Sequence, residues 1–201
     1  MRFLDIGLCE WLGKWINSLY YPPHHDPQMR LNSVHVPRRK ESTMTTNADP
    51  LTGKVAILTG AATIFGIAVA QELVDQGAHI YLVDINRAGL AEALNQCGAA
   101  ASGLCTDITS DTGISEIVSQ TTATWGGIDL LINLACSYED SGADSTREEW
   151  MNTFNVNVAS AAMLAQAVRP HMVKRGGGSI VNLTSISSKV AQIGRWTYPV
   201  S

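Results

Sequence analysis

Cysteine is scarce in this chain: Cys9, Cys97, Cys105 and Cys136 are the four in 201 residues, and no two form a C-x-x-C pair. That spacing argues against a zinc cluster or a disulfide framework and suits a reducing, cytoplasmic compartment. Positive charge is also short. Fourteen lysines and arginines face 18 acidic residues, and the one dense basic cluster is Arg38-Arg39-Lys40, so no basic face is available to a phosphate backbone and nucleic-acid binding is not expected. No apolar run approaches the roughly 20 residues that span a bilayer. The apolar stretch at the start is broken by Asp5, Glu10 and Lys14 and lacks the layout of a secretory signal. What remains is 45% hydrophobic and 16% charged, the composition of an ordinary globular domain.

Residues 1–50 differ in character from the rest. Leu4, Leu8, Trp11, Leu12, Trp15 and Leu19 recur at helical spacing before Tyr20-Tyr21-Pro22-Pro23 ends the pattern. An amphipathic helix there could lie at a membrane interface, pack on the domain or a partner, or have no role. His24 and His25 have no third ligand at a recognisable spacing and are assigned to the tail. Met44 opens a run that looks like a natural start, which makes residues 1–43 upstream sequence. From residue 51 onward, short β-branched runs alternate with longer helical ones. Strands are expected at Val55–Leu58, Ile80–Val83, Ser102–Cys105, Leu130–Ile132 and Ile180–Leu183, and helices near Ile67–Gln76, Arg87–Gln96, Asp111–Trp125 and Arg147–Lys174. That alternation implies an α/β domain over 51–201: a doubly wound parallel sheet of about five strands, with a ligand crevice at their carboxyl ends.

The first strand runs into Thr59-Gly60, and Gly66 opens a helix; between them Ala61-Ala62-Thr63-Ile64-Phe65 form a loop of mostly small residues. Such a loop presents backbone N–H groups and a positive helix end to an anion, and a pyrophosphate needs that close backbone approach. Asp84 ends the next strand, 24 residues beyond Gly60. A carboxylate there can accept both ribose hydroxyls of an adenosine and repels a 2′-phosphate, so the expected cofactor is NAD, with NADP less favoured. Asp84 could instead cap a helix or sit solvated in a loop, and Arg87 could reach a 2′-phosphate.

These residues resemble the T-G-x-x-x-G-x-G motif of the classical short-chain dehydrogenases/reductases. The other landmarks follow in the family's order: Asp107 after the third strand, Asn133-Leu134-Ala135-Cys136 after the fourth, Asn157 in Asn155-Val156-Asn157-Val158, then Ser185 and, 13 residues on, Tyr198. The resemblance implies a Rossmann-like fold and hydride transfer between NAD(H) and a small alcohol or ketone. It implies that Thr59, Gly60, Thr63, Ile64, Phe65, Gly66, Asp84, Asp107, Asn133 and Ala135 hold the cofactor, and that Asn157, Ser185 and Tyr198 are catalytic. Asp107 could merely cap a turn, and Asn157 could be a satisfied polar group within a helix. A homo-oligomer packed through the long helix Arg147–Lys174 is also implied.

Three departures from the family stand out. Ile64 replaces the middle glycine, and a β-branched side chain crowds a pyrophosphate and resists positive φ. Cys136 replaces a glycine; as a nucleophile it would lack a histidine nearby in sequence. The family's lysine, one turn after the tyrosine, has no counterpart, since Tyr198-Pro199-Val200-Ser201 closes the chain. A phenol with an ordinary pKa near 10 needs such a cation to act as a base at neutral pH. The sequence therefore reads as a truncated form, marginally stable, prone to association and inactive. Its alternatives are a dinucleotide-binding module without chemistry and a non-functional product.

Overall fold

The computed structural model describes residues 49–201; the amphipathic pattern in residues 4–19 and the paired histidines lie outside them. Five strands form one parallel sheet in the order β3-β2-β1-β4-β5: β1 Val55–Thr59, β2 His79–Asp84, β3 Ala101–Cys105, β4 Leu130–Asn133 and β5 Ser179–Asn182. Helices α1 Ile64–Asp75, α2 Arg87–Cys97, α3 Asp111–Trp125, α4 Arg147–Phe154 and α5 Ser160–Lys174 connect them, and a single turn, α6 Thr197–Val200, follows β5. Expected strands and helices fall within three residues of those observed, apart from α6, which the sequence did not suggest.

Period-two alternation divides the core between the faces of the sheet. Ala56, Leu58, Ile80 and Leu82 pack with Ala70 and Leu73 of α1 and Leu90 and Ala93 of α2. Ile57, Tyr81, Val83 and Leu131 pack on the other face with Ile114 and Ile117 of α3 and Leu164, Val168 and Met172 of α5. Both faces of β1 and β2 are thus covered, as a parallel sheet requires. Short polar side chains start the helices: Thr63, Asn86 and Ser110 each accept an N–H from their helix's first turn, and Thr146 with Glu149 forms a capping box.

The expected single helix Arg147–Lys174 is interrupted by a π-helical turn, Asn155–Ala159. Ser160 contributes to it: its hydroxyl donates to the Asn155 carbonyl five residues back, at 2.7 Å. Such wide turns inside helices occur often at functional sites.

The amino ends of the strands carry an ionic knot. Asp129 is buried just before β4, accepts the Val55 N–H at 2.9 Å and pairs with Arg175 through two guanidinium nitrogens at 3.1 and 2.8 Å. Lys54 adds a longer contact at 3.5 Å, and Arg175 also donates to the Gly53 carbonyl at 3.0 Å. Burial works against the charge on Asp129, but the Arg175 guanidinium, the Val55 N–H and Lys54 outweigh it and hold the carboxyl below its ordinary value.

Candidate functional site

At the carboxyl ends, β1 and β4 are stitched together by one hydroxyl. Thr59 Oγ1 accepts the N–H groups of Leu134 and Ala135, both at 3.2 Å. Gly60 follows with φ +72°, and a Cβ there would stand 2.7 Å from the Ala135 nitrogen. Only glycine meets both demands, the left-handed backbone and the contact. Gly66 is fixed the same way, because a Cβ would strike the Gly60 carbonyl and lie 2.8 Å from the Ala61 Cα. Thr63 closes the loop: its hydroxyl donates to the Gly60 carbonyl at 3.0 Å and accepts the Gly66 N–H at 2.9 Å.

Ile64 is the first residue of α1 and 92% exposed. The expected resistance to positive φ does not arise, since among the described residues only glycines have positive φ. What Ile64 does is set an apolar side chain at the open end of α1, and Phe65 follows it half-buried. Asp84 reaches across from β2: one carboxylate oxygen accepts the Ala62 N–H at 2.8 Å and the other the Asn86 N–H at 2.8 Å. The acid therefore shapes the glycine loop and the turn into α2, while the exposed Arg87 starts that helix. Asp107, exposed beyond β3, accepts the backbone and hydroxyl hydrogens of Thr109 at 2.8 Å, a turn of the capping kind.

Asn133 ends β4, buried. Its amide donates to Asn182 Oδ1 at 2.8 Å and to the Ala161 carbonyl at 3.4 Å, and its own Oδ1 is buried without a partner among the described residues. Next, the loop leaving β4 is gripped from the π-turn: Asn157 accepts the Ser137 N–H at 2.7 Å and donates to the Ser137 carbonyl at 3.1 Å. It also donates to the Ser201 hydroxyl at 2.8 Å. Asn157 is thus a polar clamp between helix and loop.

The remaining two residues lie in the segment after β5. Ser185 Oγ donates to Ser187 Oγ at 2.9 Å and accepts the Ser187 N–H at 3.1 Å. Tyr198, in α6, packs its ring against Tyr138 with centroids 4.8 Å apart and planes tilted by 39°. The structure joins Tyr198 to the β4 loop rather than to Ser185 by a hydrogen bond. Desolvation, then the neighbouring Cys136 and Tyr198, push the Tyr138 phenol up to about 12. Desolvation likewise raises the Cys136 thiol despite contact with Tyr138, the reverse of what an activated nucleophile needs.

Two participants were missed in the sequence. Asp140 accepts the N–H groups of Gly142 at 2.9 Å, Trp196 at 2.8 Å and Tyr198 at 3.0 Å. Burial opposes its charge, but these donors and the Thr197 N–H prevail and hold the carboxyl down at about 2. Asp-Ser-Gly marks Asp140 as a turn residue; nothing local announces partners 56 and 58 positions away. Tyr138 carries no sequence signal either.

Two features fit a dinucleotide: the capped start of the 12-residue helix α1, reached through the tightly packed Gly60–Gly66 turn, and the buried Asn133 oxygen at the adjoining strand end, which has no partner among the described residues.

Comparison with known proteins agrees. The short chain dehydrogenase family model matches residues 54–201. The chain is 32% identical over 168 residues to the human dehydrogenase/reductase SDR family member 4, covering 81% of this chain and 60% of that protein. It is 34% identical over 137 residues to the sorbitol dehydrogenase of Cereibacter sphaeroides, covering 67% and 54%. Among solved structures, NAD+-bound xylitol dehydrogenase superposes with a TM-score of 0.71 at 27% identity, over 75% of this chain and 60% of that one. The chain thus spans 54–60% of the length of these relatives.

Proposed function

Because the chain belongs to the short-chain dehydrogenase family over residues 54–201, we propose that the carboxyl ends of β1, β2 and β4 bind NAD for hydride transfer to or from a small alcohol or ketone. The observation that carries this is the tight Gly60–Gly66 turn, whose backbone packs against the loop after β4 and opens α1 at the carboxyl ends of the strands. The loop Thr59–Gly66, with Thr63, Ile64 and Phe65, would hold the pyrophosphate, Asp84 the adenosine ribose and Asp107 the adenine. Asn133 and Ala135 would line the nicotinamide end. When bound, the nicotinamide supplies a two-electron hydride donor or acceptor. Tyr198 would move the matching proton at its phenol oxygen, Ser185 would orient the reacting oxygen and Asn157 would hold the loop beneath them.

Among the described residues no lysine or arginine pairs with the Tyr198 phenol, which faces the Tyr138 ring. We therefore expect this 201-residue chain to bind the dinucleotide with little or no turnover. The exposed Met151, Val158 and Met163 along α4, the π-turn and α5 support self-association through that helix.

The test is titration of NADH and NADPH against the purified chain, followed by nicotinamide fluorescence. Saturable NADH binding, at least about tenfold tighter than NADPH and losing that preference in Asp84→Asn, is the expected result. No saturation by either nucleotide would sink the reading.

A further inference from the structure

The turn that carries Tyr198 has almost no structure of its own. α6 is four residues long, and Trp196, which precedes it, supplies no side-chain cap. Ile193, Gly194, Arg195 and Trp196 are all exposed. The first N–H groups of a helix have no partner within the helix and need one from elsewhere. Here they find it on a different loop. We infer that Asp140 is a positioning residue for Tyr198, its carboxylate serving as a remote cap that fastens this turn to the loop leaving β4.

Three further contacts fix the same junction. Gly142 sits at φ +61°, where a Cβ would stand 2.8 Å from the Gly194 carbonyl oxygen, so the two loops meet backbone to backbone. Thr197 donates its hydroxyl to the Glu139 carbonyl, and the Tyr138 and Tyr198 rings close the outer side. The Gly142 N–H holds Asp140 in its own turn, so the carboxylate is oriented before it meets Trp196 and Tyr198. On the far side Ser201 donates to the Tyr198 carbonyl at 3.2 Å and receives the Asn157 amide. Tyr198 is thus held at its N–H by Asp140 and at its carbonyl by the Asn157–Ser201 pair. Of these, Asp140 alone brings a full charge to the start of the turn, and hydrogen bonds to a charged acceptor are the strong ones.

This role rests on the reading of Tyr198 as the proton-moving group, and the experiment separates the two. In the full chain, trypsin cleaves after the exposed Arg195, and the N–H of that bond belongs to Trp196, which Asp140 accepts. Asp140→Asn and Asp140→Ala should speed this cleavage by about tenfold or more, while the charge-matched Asp144→Asn, on an exposed residue of the same loop, should not. In samples with labelled tyrosine rings, nuclear Overhauser contacts between Tyr138 and Tyr198 should be present in the wild type and in Asp144→Asn, and absent in Asp140→Asn. Affinity for NADH should stay within about twofold in Asp140→Asn, because the glycine loop is a separate site. Unchanged cleavage, or retained ring contacts in Asp140→Asn, overturns the inference; should the alanine variant not fold, the asparagine variant decides. Absence of NADH binding by the wild type would remove the functional reading, while the cleavage and ring contacts still judge Asp140 as anchor of the turn.

Discussion

The two ends of this parallel sheet hold similar groups in opposite conditions. At the amino end, Asp129 is buried and saturated: Arg175, Lys54 and the Val55 N–H occupy its oxygens. At the carboxyl end, Asn133 keeps a buried oxygen without a partner among the described residues, Gly60 and Gly66 pack backbone against backbone, and Ile64 stands exposed at a helix start. Groups that satisfy one another contribute to stability; a buried oxygen left open at the strand ends calls for an outside partner. That difference makes the carboxyl end the candidate site.

Breaking the closed end should have the largest effect on folding. Arg175→Met removes the main partner of a buried carboxylate and should cost about 2–3 kcal/mol in urea unfolding, leaving NADH affinity unchanged. A matching loss of affinity would mean that the two ends are not independent. Gly60→Ala attacks the open end. Forcing a side chain into positive φ against the Ala135 nitrogen should cost about 1–2 kcal/mol and also abolish measurable NADH binding.

A pH series gives the smallest and most discriminating effect. Asp129 and Asp140 both have carboxyls held below the ordinary 3.8, so each contributes stability that is fully present above that value. For Asp140 the contribution is lost as pH falls from about 4 to about 2. The urea midpoint should therefore decline through this window, and Asp140→Asn should flatten part of the decline. Asp140 lies near the surface, so solvent screening reduces the part it contributes. An identical slope in the variant would show that Asp140 makes no such contribution.

Much of the fold was legible because its periods are strong. The β-branched runs at residues 55–58 and 80–83 are local signals, and the sheet followed from them. The glycine loop was legible for the same reason. Two features were not, each for want of a local signal. The π-turn rests on Ser160 reaching back to Asn155, a contact that helical periodicity does not reveal. Asp140 looks like a turn former until the chain returns 56 residues later. Ile64 was expected in the loop before the helix; it is instead the first residue of α1, with an ordinary helical backbone rather than a strained one.

The central claim is that the open end, and not the ionic end, receives a dinucleotide. Backbone amide spectra of the 15N-labelled chain, recorded as NADH is added, test it directly. The account predicts saturable shifts at Gly60, Ala62, Gly66, Asp84 and Ala135, with the amides of Gly127 and Asp129 unmoved. Shifts centred on Asp129, or none at any position, would contradict it.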